Sequence, residues 1–184
     1  MRRILVYGVT GSGKSTLARR LGERLGLPYH PVDDLTWEPG WVPVPIEEQR
    51  RRIAALCDEQ AWVLDAAYGA WTDIPLARAD LVIGLDFPRW VSLSRLIRRT
   101  VGWWVRRTPI CNGNVESLRT ILSKDSLVLF HFRSFARKRR RMRAWQADPD
   151  LPPVLLFRSP GSVERWLRSP TTVHATEDRR RRTD

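Results

Sequence analysis

The chain opens on an apolar run, Ile4-Leu5-Val6-Tyr7, that closes on Gly8, and apolar or small side chains then recur at helical spacing through Leu17, Ala18, Leu21 and Leu25. The predicted order is a strand at the start of the chain, a loop, and a helix from Lys14. Gly26 and Pro28 stop that helix, and residues 29–32 read as a second short strand before a turn-rich stretch with Pro39, Gly40, Pro43 and Pro45. Helical periodicity returns over residues 46–60 through Ile53, Ala54, Leu56 and Cys57, with Glu47 and Glu48 in the first turn, where they complement the helix dipole. Residues 61–65 are the next strand. Residues 80–86 are the clearest buried strand, and Pro88 opens a helix carrying Val91, Leu93, Leu96 and Ile97.

Between residues 102 and 114 the pattern breaks into Gly102-Trp103-Trp104-Val105-Arg106-Arg107-Thr108-Pro109 and Asn112-Gly113-Asn114, which reads as a loop or lid. A long helical stretch over 115–145, a strand over 154–157 and a short helix over 162–168 complete the domain, 1–168. The polar tail, 169–184, ends in Arg179 to Arg182 and reads as disordered. Strands alternating with helices predict a mostly parallel sheet of about five strands between helical layers, a three-layer α/β/α fold.

At 184 residues and 42% hydrophobic content the chain can bury one substantial core. No stretch reaches the roughly 18 to 20 apolar residues of a membrane helix, and the start does not read as a signal peptide, so a cytoplasmic protein is expected. Cys57 and Cys111 stand far apart without a CxxC or Cys/His cluster, so neither a disulfide framework nor a structural zinc site is expected. The formal net charge of +12 is unevenly placed. Residues 89–143 hold 15 Lys/Arg against Glu116 and Asp125, while the rest of the chain is nearly balanced. A field concentrated in this way attracts polyanions, either nucleotide phosphates or a nucleic acid backbone.

The chemistry is most legible in Gly8-Val9-Thr10-Gly11-Ser12-Gly13-Lys14-Ser15, which matches GxxxxGK[ST] between an apolar strand and an amphipathic helix. Glycines let the backbone curl so that its amides converge, and the helix N-terminus adds partial positive charge; together they make a cavity for the oxygens of a nucleoside triphosphate such as ATP. Lys14 is expected to reach the β- and γ-phosphates, Ser15 to ligate Mg2+, and Thr16 to touch the α-phosphate. A strand-end acid should complete the metal site. Asp65 is the first choice and Asp86 the competitor.

Asp33 and Asp34 follow the second strand, at the sheet edge where open α/β folds place ligands. Asp33 is the candidate to accept a hydrogen bond from an acceptor hydroxyl; an Asx turn is the other reading. Arg95 and Arg99, spaced i,i+4 with Arg98 adjacent, and Arg106 and Arg107 in the lid are candidates to stabilise transferring phosphate. Lys14, Asp33, Arg95 and Arg99 form the catalytic set, with Arg106 on the nucleotide. Trp37, Trp41, Trp71, Trp103 and Trp104 fall in loops, available to stack on a base, to wall the acceptor or to pack the core. His30, His131 and His174 show no ligand spacing.

With these motifs, the string Asp33-Asp34-Leu35-Thr36-Trp37-Glu38-Pro39-Gly40-Trp41 and the segment Leu85-Asp86-Phe87-Pro88-Arg89, the sequence resembles adenylate-kinase-like P-loop proteins labelled topology modulation protein, over residues 2–168. The resemblance implies ATP use, a core strand order 2-3-1-4-5, an Arg-bearing lid, and family roles for Lys14, Ser15, Thr16, Asp33 and Asp65. This chain departs at Asp65-Ala66-Ala67-Tyr68, where relatives commonly read Asp-Gly-Asn-Tyr. The expectation is a small nucleotide-kinase-like enzyme that moves the γ-phosphoryl group of ATP to a nucleotide or other small acceptor. The competing expectation is a nucleotide-gated regulatory protein that binds nucleic acid through residues 137–143. Hydrolysis of ATP without an acceptor is a third.

Overall fold

The computed structural model describes residues 1–66, 69–106 and 127–169. Strand β1 (Arg3–Gly8) is followed by α1 (Lys14–Leu25), β2 (Tyr29–His30), the single-turn α2 (Asp33–Thr36), β3 (Trp37–Glu38), β4 (Val42–Pro43), α3 (Ile46–Cys57) and β5 (Trp62–Ala66). Then come α4 (Asp73–Arg78), β6 (Leu81–Leu85), α5 (Arg89–Arg106), α6 (Leu127–Ala147), β7 (Val154–Phe157) and α7 (Pro160–Arg168).

The main sheet has the order β2-β5-β1-β6-β7 with every pairing parallel. Counting only its own strands, that is the expected 2-3-1-4-5. Strand β1 lies in the middle and explains the order: Ile4, Leu5, Val6 and Tyr7 are all fully buried. A strand covered on both faces is what an unbroken apolar run specifies. Ile4 and Val6 pack with Leu17, Ala18 and Leu21 of α1 and Val163 and Leu167 of α7, while Leu5 joins Ile53 and Leu56 of α3, Leu64, Trp71 and Leu76 on the other face. Trp145 of α6 also meets this second face, its ring edge-on to Tyr7 at 4.7 Å between centroids.

Several boundaries differ from the sequence reading. The second strand stops at His30 because the chain turns into α2, whose first residue is Asp33. The turn-rich stretch makes a small antiparallel hairpin of β3 and β4, and Gly40 (φ 82°) and Trp41 (φ 60°) supply its left-handed turn. Helix α4 was not expected. Helix α5 runs on through Gly102 to Arg106, so the expected lid does not begin at 102. One glycine costs a helix only about 1 kcal/mol, and the Arg99 guanidinium lies over the Trp103 ring at 4.4 Å across that turn. Helix α7 starts at Pro160, two residues early, because Ser159 and Ser162 form a reciprocal capping box in front of it. Ala67, Tyr68, Arg107, the 107–114 part of the lid, Cys111, the 115–126 part of the long helix, His174 and the tail from 170 lie outside the described residues.

Candidate functional site

The loop after β1 is a tight curl. The Ser12 amide donates to the Val9 carbonyl at 3.2 Å, and Gly11 (φ 81°) and Gly13 (φ 96°) adopt left-handed backbone that side-chain-bearing residues avoid. Gly11 has a second constraint, because a Cβ there would run into the Ser92 carbonyl and the Leu96 side chain of α5. Gly13 caps α1 without a side-chain hydrogen bond, and no acidic residue occupies the first turn. The orphan amides of that turn and the positive end of the helix dipole are therefore left for an outside anion.

Lys14 Nζ donates to the Val9 carbonyl at 3.1 Å, which holds the ammonium over the curl. Burial lowers its pKa, the carboxylates of Asp65 and Asp33 oppose that shift, and Arg99 adds to it. Asp65, the penultimate residue of β5, lies opposite Val6 in the β1–β5 register, two residues before Gly8. Asp65 is 8% exposed, its Oδ1 accepts from the Val32 amide at 3.2 Å, and the Ser15 hydroxyl bonds to its carboxyl group. Burial raises the Asp65 pKa against the pull of Ser15, Lys14 and Val32. The Tyr29 hydroxyl reaches the same pair, Ser15 and Asp65, and burial pushes its pKa up.

The structure thus brings Lys14, Ser15, Asp65 and Asp33 together at one end of the loop. Asp33 starts α2 as an exposed residue, one position after the Val32 whose amide is fixed on Asp65. Among the described residues no cluster of three His, Cys, Asp or Glu could enclose a metal by itself. A hydroxyl and one carboxylate suit Mg2+, which takes most of its ligands from phosphate oxygens and water.

Asp86 is engaged elsewhere. Its side chain is fully buried and accepts from Arg139 Nε and from Arg143 Nη2 at 2.9 Å and Nε at 3.1 Å, an ion cluster that ties α6 to the end of β6. Two guanidinium partners already occupy both carboxylate oxygens.

On the opposite side of the loop a cleft of about 330 Å3 opens between α1, α5 and α7. It is lined by Gly13 and Thr16, by Arg95 and Arg99, and by Pro160 and Val163. Arg95 Nη1 donates to the Ser12 carbonyl at 3.4 Å, and its guanidinium faces the Phe87 ring at 5.8 Å. Arg20 and Glu164 form an ion pair at 2.5 Å that links α1 to α7 at the rim. Arg106 ends α5, and its side chain lies outside the described residues.

The sequence reading missed two contributions from α6. His131, fully buried, has Nδ1 3.0 Å from the Thr10 carbonyl, so this helix clasps the tip of the loop. Lys138, buried on the same stripe, lies in the field of Lys14 and Asp33. Helical spacing alone signals a stripe, but not what it faces. Trp71 is fully buried in the core, its Nε1 donating to Gln49 Oε1 at 3.0 Å, and is no part of the site; Trp37 and Trp41 pack edge-on against each other in the hairpin at 5.8 Å.

No family model and no curated protein matches the sequence. Solved structures do match its fold. A shikimate kinase from Bacteroides thetaiotaomicron superposes with a TM-score of 0.54 at 15% identity, covering 94% of this chain and 97% of that one. A sugar kinase from Janibacter sp. HTCC2649 gives 0.53 at 19% identity over 91% and 92%. A gluconokinase from Sinorhizobium meliloti 1021 gives 0.50 at 17% identity over 89% and 87%. The chain has the three-layer α/β/α fold of P-loop kinases. No described helix is long and apolar enough to cross a membrane.

Proposed function

We propose that the protein is an ATP-dependent phosphotransferase acting on a small acceptor, in the manner of small nucleotide kinases. The observation that carries this reading is the placement of two different sites on either side of one uncapped loop: a cleft between α5 and α7, and the Lys14–Ser15–Asp65–Asp33 group. The cleft is large enough for a nucleoside, whose phosphates would then run along residues 8–15. Lys14 reaches the β- and γ-phosphates, Arg95 and Arg99 lie alongside, and Arg106 is assigned to the nucleotide. Ser15 and Asp65 would hold Mg2+, which would supply neutralisation of charge on the phosphate oxygens.

The acceptor enters on the Asp33 side. Where the acceptor is a hydroxyl, its oxygen bonds to the γ-phosphorus, the bond from that phosphorus to the β,γ-bridging oxygen breaks, the electron pair leaves with ADP, and Asp33 accepts the hydroxyl proton. Val32 links the two acids, because the amide that orients Asp65 belongs to the residue before Asp33. Sugar and shikimate kinases sharing the fold favour transfer over simple binding. The adenylate-kinase-like, topology-modulation branch is the finer assignment and rests on the Asp33 to Trp41 string.

The nucleic-acid reading is disfavoured by where 137–143 points. Lys138 is buried, Arg139 and Arg143 are bound to Asp86, and Arg141 packs near Gly69, which leaves Arg137 and Arg140 of that run facing water without such engagement. A screen with γ-labelled ATP, Mg2+ and a panel of nucleoside monophosphates, sugars and hydroxy acids tests the reading. Label transfer that requires one class of acceptor supports it. Salt-sensitive, ATP-independent nucleic acid binding without transfer to any acceptor would replace it with the regulatory alternative.

A further inference from the structure

Helix α6 turns His131, Ser134, Phe135, Lys138 and Met142 inward on one stripe. Lys138 is out of place there. The residue is 3% exposed, its Nζ has no hydrogen-bond partner among the described residues, and it lies over the Phe130 ring at 4.8 Å from the centroid. Lysines ordinarily lay their stems on apolar surface and keep the ammonium in water. An ammonium withdrawn from water without a counter-charge is strongly unfavourable, and buried charges in proteins are paired or give up the charge.

The groups facing Lys138 say what would come. Lys14 approaches from α1 and Asp33 from α2, while Arg137 and Arg141 flank it on α6 and His131 sits nearby on the same stripe. Lys14, Arg137 and Arg141 thus add to the positive charge at Lys138, and Asp33 opposes it. Arg141 and Arg137 also bear on the buried Tyr7 hydroxyl, and Arg141 Nη1 would lie 3.3 Å from a Cβ at Gly69, so this charge is spread over the end of β1 and the segment after β5. The uncompensated charge is on the Asp33 side of Lys14, away from the cleft between α5 and α7.

We propose that Lys138, with Arg137 and Arg141, forms a second anion-binding site beyond the phosphate loop, and that its ligand is a phosphate-type group. This rests on the nucleotide-binding reading above. Two sources carry that chemistry, the phosphoryl group in transfer and an anionic group on the acceptor. Burial first, and then Lys14 and Arg137, bring the Lys138 ammonium down to about 7, with Asp33 opposing and Arg141 adding. An arriving anion restores the proton, so binding takes up protons from solution.

The test is calorimetry on the full chain at about pH 7.5, titrating inorganic phosphate into the MgADP complex and, separately, MgADP and the magnesium complex of the imido analogue of ATP into free protein. Lys138→Met should weaken phosphate by about tenfold or more, the scale of one charge-assisted contact, and MgADP by under about twofold. If the analogue weakens with phosphate, the ligand is the transferred group; if the analogue is held normally and phosphate added to its complex is lost, the ligand belongs to the acceptor. Lys138→Arg should retain phosphate affinity while losing the buffer-dependent proton uptake of the wild type, which a purely structural lysine would not produce. Unchanged phosphate affinity in Lys138→Met, equal loss of all three ligands, or wild-type proton uptake no greater than that of Lys138→Arg overturns the proposal. Absence of MgADP binding to the wild type would instead defeat the nucleotide reading on which it stands.

Discussion

The Val32 amide donates to Asp65 Oδ1 at 3.2 Å, so the acid near the end of β5 is fixed to the residue immediately before Asp33. The hydrogen bond crosses from the end of one strand to the start of α2 and sets both carboxyl groups on the same side of Lys14. A buried carboxylate that accepts from a backbone amide and the Ser15 hydroxyl is held in one orientation. Its consequences are separable by substitution.

Asp65→Asn keeps an acceptor for Val32 and removes the charge. Because burial raises the Asp65 pKa in the fold, the stability this group contributes is present below its unfolded value and is lost as pH rises through the folded value. Thermal melts of the nucleotide-free variant should therefore gain on the wild type as pH rises through the carboxylate range into neutrality. The variant should also lose the Mg2+-dependent part of ATP affinity, about tenfold or more. A variant that melts lower at pH 8 and still responds fully to Mg2+ contradicts the metal role.

Asp33→Asn should leave ATP affinity within about twofold and lower the rate of transfer by a factor on the order of 100 to 10,000, the range typical of a positioned general base. Rapid-quench measurement of label transfer separates the two parameters. Loss of ATP binding in this variant would move Asp33 to the metal.

The Asp86 cluster is predicted to be structural. Arg139→Ala with Arg143→Ala leaves a buried carboxylate without partners, a change that costs about 3 to 5 kcal/mol for fully buried pairs. The two arginine side chains are 34% and 53% exposed, so the lower end of that range is expected in urea unfolding. Mg2+ dependence should be unaffected in the folded fraction.

The loop, the central strand and the Asp65 position were legible in the sequence because each is a local property. An apolar run with no alternation specifies a strand buried on both faces, and glycine spacing specifies the curl after it. What escaped depends on contacts between distant segments. Arg20 and Glu164 are 144 positions apart, so the cleft wall from α7 had no local signal. Lys138 reads as part of a solvated basic run until α6 is docked with its His131 stripe on the loop. Trp71 reads as a loop tryptophan until Gln49 of α3 is placed against its indole. Gly102 reads as the end of α5 until the Arg99 guanidinium is placed over the Trp103 ring across it.

Lys14→Ala removes the ammonium with its hydrogen bond to the Val9 carbonyl and its attraction to Asp65 and Asp33. Burial lowers the Lys14 pKa in the fold, so the nucleotide-free variant should melt no lower than the wild type near neutral pH. Transfer should fall by on the order of a hundredfold or more, as when a preorganised charge stabiliser is removed.

The central claim is that the curl between β1 and α1 binds the phosphates of a nucleoside triphosphate. Isothermal titration of ATP with Mg2+ into wild-type and Lys14→Ala protein addresses it most directly. Saturable, Mg2+-dependent binding in the wild type that is lost or greatly weakened in Lys14→Ala is the predicted result. Absence of binding to folded wild-type protein, or equal affinity in the two proteins, would contradict it.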